Sequence, residues 1–167
     1  MRGHRRLAFV AALATVVLLL GGLTACGNDD DGGSTQPPPK TERDAYTKWF
    51  VQQAVDRFEQ TGRQASIDHF NNEAGSDGQW YTFVLDLNGV VLAHPTVPEN
   101  VGMTTGEILG GTAEALATEE EMVTATETGK WVDYHYLNPQ SGGWETKHTW
   151  IVRRDDILIA SGWYESN

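Results

Sequence analysis

YTFVLDLNGVVLAHP, residues 81–95, decides the fold. From Trp80 to Asp86 the apolar residues recur with a period of two, Asp86-Leu87-Asn88-Gly89 turns the chain, and Val90 to Ala93 run back into His94. Strand side chains alternate between faces, so this pattern around a turn predicts a β-hairpin. The turn admits two registers. A two-residue Asn-Gly loop sets Phe83 opposite His94, whereas a type I turn that begins at Asp86 with a left-handed Gly89 sets Thr82 there. Either way His94 stands near Tyr81 and Phe83, at the end of the hairpin away from the turn. Pro95 and Pro98 disfavour helical backbone at His94 and Val97, so an extended, stiff loop follows. His94 therefore either terminates a core strand or stands at the rim of a pocket whose wall is the proline loop.

Upstream of the hairpin the period changes. In TERDAYTKWFVQQAVDRFEQTG the residues Tyr46, Trp49, Phe50, Ala54 and Phe58 fall on a helical stripe, and Gly62 is a stop. A shorter helix is expected over Gln64–Asn71. Downstream, Thr104 with Glu107 predicts a capping box for one helical turn. Thr118 with Glu121 predicts the start of a longer helix that Gly129 closes. Strands are then expected over Trp131–Leu137, Trp144–Arg153 and Ile157–Trp163. If the NPQSGG loop closes symmetrically, Tyr134 pairs with Lys147 and Tyr136 shares their face; a slip of one residue would turn Lys147 to the other side. The whole predicts an α+β domain on one antiparallel five-stranded sheet.

The first 25 residues read as a secretory leader, with Arg2, Arg5 and Arg6 before an apolar run from Leu7 to Leu23. Leu23-Thr24-Ala25-Cys26 matches a bacterial lipoprotein box, and Cys26 is the only cysteine in the chain. Lipidation of Cys26 and anchoring at the extracytoplasmic face of the cell membrane are the expectation. Residues 26–40, rich in Gly, Pro and Asp, cannot bury a core and read as a disordered tether. Residues 41–167 form the folded domain. The chain stops directly after the last expected strand, so any signal would pass through a membrane sensor or transporter partner.

The formal net charge of −11 deepens to −14 once the leader's three arginines are removed, which argues against nucleic acid as a partner. No G-x-S-x-G, no H-E-x-x-H and no cysteine nucleophile is present, and an enzyme is not expected. The acids Glu119, Glu120 and Glu121 suit the first turn of a helix without any metal, and the histidines lack zinc spacing. No metal and no cofactor are expected.

Four stretches in order resemble the single Cache domains of bacterial extracellular sensors: TGRQASIDHFNN (61–72), YTFVLDLNGVVLAHP (81–95), ETGKWVDYHYLNPQSGGWETKHTWI (127–151) and ILIASGWYE (157–165). The resemblance implies a PAS-like sheet with a long N-terminal helix packed on one face. It also implies a small-molecule sensor, commonly for organic acids or amino-acid-like metabolites. Between Gly102 and Glu121 the chain has GEILGGTAEALATEE where the family often carries an aspartate-glycine turn.

On that frame Lys147, the only basic residue in the interior of the expected strands, could hold a carboxylate by a charge-assisted hydrogen bond. Tyr81, Tyr134 and Tyr136 would orient the ligand, Phe83 and Trp131 would wall it, and His94 would close one end as a donor or a second cation. Plainer roles stay open for each. Lys147 could snorkel on an exposed face, His94 could be satisfied by backbone, and the tyrosines could be cross-strand packing pairs. The expected function is binding or sensing of a small molecule by a lipid-anchored domain. The alternative is a surface module that docks a protein through its tryptophans and acids.

Overall fold

The computed structural model describes residues 36–72 and 75–165; the leader, Cys26 and most of the tether lie outside them. Helix α1 (Arg43–Thr61) is followed by α2 (Arg63–Phe70), with Gly62 at φ 80° between them. That left-handed backbone is open to glycine without strain and lets one residue end α1 and begin α2. The face that α1 buries is rotated from the aromatic stripe. Val51 and Val55 are wholly enclosed beside Ala54 and Phe58, whereas Trp49 and Phe50 are half-buried. Compact valines let the helix lie close on the sheet, each contributing about 1.5–3 kcal/mol by burial. Trp49 and Phe50 instead pack around Tyr46, at ring separations of 5.4 and 6.3 Å.

Strands β1 (Ser76–Asp77) and β2 (Trp80–Tyr81) form a small ribbon that the sequence pattern did not foretell. The main sheet comprises β3 (Phe83–Asp86), β4 (Val91–Ala93), β5 (Lys130–Leu137), β6 (Trp144–Arg154) and β7 (Ile157–Tyr164). Its order is β4-β3-β7-β6-β5, antiparallel throughout, so the first hairpin docks against the last strand. Tyr134 pairs with Lys147 as the symmetric hairpin predicts, and Tyr164 flanks Lys147 on its other side.

Both predicted registers of the first hairpin are present in part. At the turn, Gly89 N–H donates to the Asp86 carbonyl (3.2 Å) with Gly89 at φ 80°, and Leu85 pairs with Val91, as a type I turn with a left-handed glycine requires. Beyond it a β-bulge shifts the register, so that Val84 pairs with Ala93. Continued by one residue, this sets His94 against Phe83. A bulge inserts one residue into one strand of a pair, and here it returns the imidazole to the Phe83 face.

The two faces bury different things. Val84, Val152, Ile157 and Ile159 pack under α1 and α2; Phe83, Leu85, Val132, Tyr136, Ile151, Leu158, Ala160 and Tyr164 face the opposite layer. That layer is the crossing segment, with α3 (Thr105–Ile108) and α4 (Ala113–Val123). The box at Thr104 is present: its hydroxyl accepts the Glu107 N–H and the Glu107 carboxylate accepts the Thr104 N–H. The start predicted at Thr118 is corrected. α4 begins at Thr112, whose hydroxyl accepts the Ala115 N–H at 3.1 Å, and Thr118 lies inside the helix bonded back to the Glu114 carbonyl. Ala115 and Met122 are the buried residues of α4, so the helix must span both. Gly129 does not close it; at φ 84° it turns the chain into β5, against the Trp150 ring. No helix among the described residues is long and apolar enough to cross a membrane.

Candidate functional site

Lys147 lies at the centre of the sheet face under α3, with 1% of its surface exposed. The snorkelling role is therefore excluded by the fold. Its neighbours follow from register: Tyr134 and Tyr164 are its cross-strand partners, and Tyr136 shares the face one repeat along β5. Its Nζ donates to Tyr81 Oη at 2.8 Å, and Tyr81 Oη lies 2.9 Å from Tyr164 Oη. The rings of Tyr81, Phe83, Tyr136 and Tyr164 surround Nζ at 4.2 to 5.4 Å from their centroids. Among the described residues Lys147 makes no ion pair. Removal from water without a counter-charge holds the amine well below the usual lysine range.

His94 enters from the end of β4, and α2 places it. Asn71, the residue that ends α2, accepts the His94 N–H (3.1 Å) and donates to the Leu92 carbonyl (3.2 Å). The proline loop then wraps the ring: Val97 N–H donates to Nδ1 at 3.1 Å. With Nδ1 accepting, the neutral ring carries its proton on Nε2, 3.5 Å from Tyr136 Oη. Burial, with Lys147 nearby, lowers the imidazole to about 3. His94 is thus a neutral donor, not the second cation that the sequence left open. At 4% exposure it forms an inner wall beside Tyr81 and Phe83 (ring separations 5.0 and 6.1 Å) instead of an open rim.

Asn100, in the 3-10 turn at Pro98–Asn100, donates to Tyr136 Oη at 2.7 Å. Because Asn100 supplies a donor to that oxygen, the Tyr136 hydroxyl proton is left to point elsewhere. Burial raises the hydroxyls of Tyr81, Tyr134, Tyr136 and Tyr164 above the usual tyrosine range, so all four remain neutral donors. The cavity among these groups is small, about 20 Å³, and is lined by Phe83, Leu85, Val91, His94, Asn100, Thr105, Ile108, Tyr134, Tyr136 and Lys147. That is room for about one water, so an organic ligand needs the α3 side to yield.

Of the residues read from sequence, Phe83, His94, Tyr134, Tyr136 and Lys147 meet around this cavity, and Tyr81 lies against Lys147. Trp131 is not with them. It alternates to the other face of β5, and its ring lies 5.3 Å from that of its cross-strand partner Trp150. Tyr164, Asn100, Thr105 and Ile108 were missed. Tyr164 is legible only once the β6–β7 register is known, and the other three come from loops and a short helix with no periodic signal.

No family model matches the chain, and no curated protein matches it. Solved structures do. A methyl-accepting chemotaxis protein from Vibrio parahaemolyticus is similar with a TM-score of 0.57 at 17% identity, over 75% of this chain and 87% of that one. A Cache chemosensory domain, described in terms of carboxylic acid recognition, is similar with a TM-score of 0.56 at 19% identity, over 75% of this chain and 93% of that one. The chain has the Cache fold. Within this Cache fold the cavity lies between the sheet and the crossing segment, on the face away from α1. These two neighbours are chemosensory by description.

Proposed function

We propose that this protein is an extracytoplasmic sensor that binds a small organic acid through its carboxylate, held at the membrane by lipid on Cys26 and acting through a membrane partner. The observation that carries the reading is Lys147: a buried basic side chain with no ion pair among the described residues, beside neutral hydroxyl donors and aromatic walls. A carboxylate in contact with Nζ supplies the missing counter-charge, and hydrogen bonds to charged groups are worth about 1.5–3 kcal/mol each. His94 Nε2–H and the Tyr136 hydroxyl are donors for the second oxygen. Among the described residues no aspartate or glutamate lines the cavity to receive an α-ammonium, which favours organic acids over amino acids. The likeness to a Cache domain described for carboxylic acid recognition supports the same class.

The test is a thermal-shift screen of the chain against organic acids and amino acids, repeated with Lys147→Met. Stabilisation by organic acids that disappears in the variant is the expected result; stabilisation that survives it places the ligand elsewhere. A second reading has its own observation. Leu137 and Trp144, a cross-strand pair, are 44% and 64% exposed at one end of β5 and β6, and would suit a docking protein. Trp144→Ser abolishing capture by a partner while every metabolite is silent would favour that reading.

A further inference from the structure

Lys147 makes no ion pair among the described residues, and the side chains that touch it or line its cavity are neutral. They are Tyr81 from β2, Tyr134 and Tyr136 from β5, Tyr164 from β7 and His94 from the loop after β4. α3 presents Thr105 and Ile108, which do not titrate. Glu145, two residues away at the same parity of β6, has its carboxylate on the Asn138 amide (2.9 Å) and the Ser141 hydroxyl (2.5 Å), makes no ion pair with Lys147, and reaches the cluster through its charge on the Tyr164 hydroxyl. An ammonium here would carry three N–H donors and a full charge out of water, with one donor satisfied by Tyr81. The surrounding ring faces replace only part of the lost hydration. Burial accordingly favours the uncharged amine.

We propose, resting on the carboxylate reading above, that ligand capture at this site is coupled to proton uptake: the empty pocket holds Lys147 as the free amine, and a monocarboxylate and one proton enter together. The proton adds to the Nζ lone pair, the carboxylate becomes the counter-ion of the new ammonium, and no covalent bond of the ligand changes. The net event is the transfer of an undissociated acid from water, with its proton relocated from oxygen to nitrogen. A second carboxylate on the ligand would arrive without a partner, because His94 is held neutral and no other basic side chain among the described residues lines the cavity. The site therefore reports the product of acid and proton concentrations. Affinity rises tenfold for each unit fall in pH while the free ligand stays ionised and the empty-pocket amine stays neutral.

Two measurements on the full chain test this. In the first, the ε-carbons of 13C-labelled lysines are titrated by NMR without ligand, Lys147 being assigned by its loss in Lys147→Met. A Lys147 midpoint well below that of the other lysines is expected; titration with them, near about 10.4, overturns the proposal. In the second, sodium propionate, acetate, lactate and pyruvate are titrated calorimetrically at one pH in two buffers of different ionisation enthalpy. Heats that differ by one buffer proton per site, with tenfold tighter binding per unit fall in pH, are expected. Equal heats in both buffers overturn the coupling and leave the carboxylate reading standing. No binding by any of the four from about pH 5.5 to 8 overturns the carboxylate reading and the coupling with it.

Discussion

His94 makes the clearest prediction at the scale of one residue. Its imidazole sits at about 3 in the folded protein against about 6.5 unfolded, so the unfolded chain takes up the proton first as pH falls. The stabilising contribution is full above about 6.5 and is lost progressively as pH falls toward about 3. Between pH 7 and 5 the native protein should lose roughly 2 kcal/mol more than His94→Asn, which keeps an acceptor for the Val97 N–H. Urea midpoints at the two pH values measure the difference, and parallel behaviour of the two proteins would contradict the assignment of a neutral buried ring. Lys147 makes a prediction of opposite sense. Lys147→Met replaces an unpaired buried amine by an apolar chain of similar length, and should stabilise the ligand-free protein by about 1–3 kcal/mol while abolishing carboxylate binding. A variant that is both less stable and still responsive would rule out the site.

Among the elements, α4 offers a contrast between two threonines. Thr112 caps the helix and Thr118 sits within it. Thr112→Ala should cost about 1 kcal/mol, and Thr118→Ala should change stability by less than about 0.5 kcal/mol. Equal effects in denaturant unfolding would mean that the helix starts elsewhere. This is also where sequence reading fell short. Two threonines each lead a helix-compatible run, and the pattern at Thr118-x-x-Glu121 is chemically the better box. What decides is that Ala115 and Met122 face the sheet together, a tertiary fact. The hairpin at 81–95 was legible to within one residue. Its turn chemistry lies in Asp86 and Gly89, but the bulge that returns His94 to the Phe83 face carries no sequence mark. Trp131 shows the remaining limit, since alternation along β5 already sets it opposite Tyr134 and Tyr136. Its aromatic character suggested a wall, whereas its parity gave the other face.

At the scale of the molecule, three layers separate a stable side from a yielding one. The α1–sheet side is packed on fully buried valines and isoleucines; the other side meets the sheet through a stiff loop, the one-turn α3 and α4. A ligand larger than a water must displace part of that thinner layer, and its binding should be read out as global stabilisation. At a hundred times the dissociation constant the gain is about 2.7 kcal/mol, or roughly 10 °C in Tm for a domain of this size. A ligand-dependent rise in hydrogen-exchange protection should concentrate in residues 98–109.

The guanidinium of Arg43, in the first turn of α1, donates to the carbonyls of Tyr164 and Glu165 at 3.2 and 3.3 Å and lies over the Trp163 ring. The first helix and the last strand of the fold are thereby fastened side by side. In engineering terms the domain is a closed loop with a clasp. Its ends should therefore splice into a surface turn of a host protein without stretching either, and a circular permutant joined across the clasp and reopened at Ser141-Gly142 should still melt cooperatively, which thermal unfolding of the permutant measures.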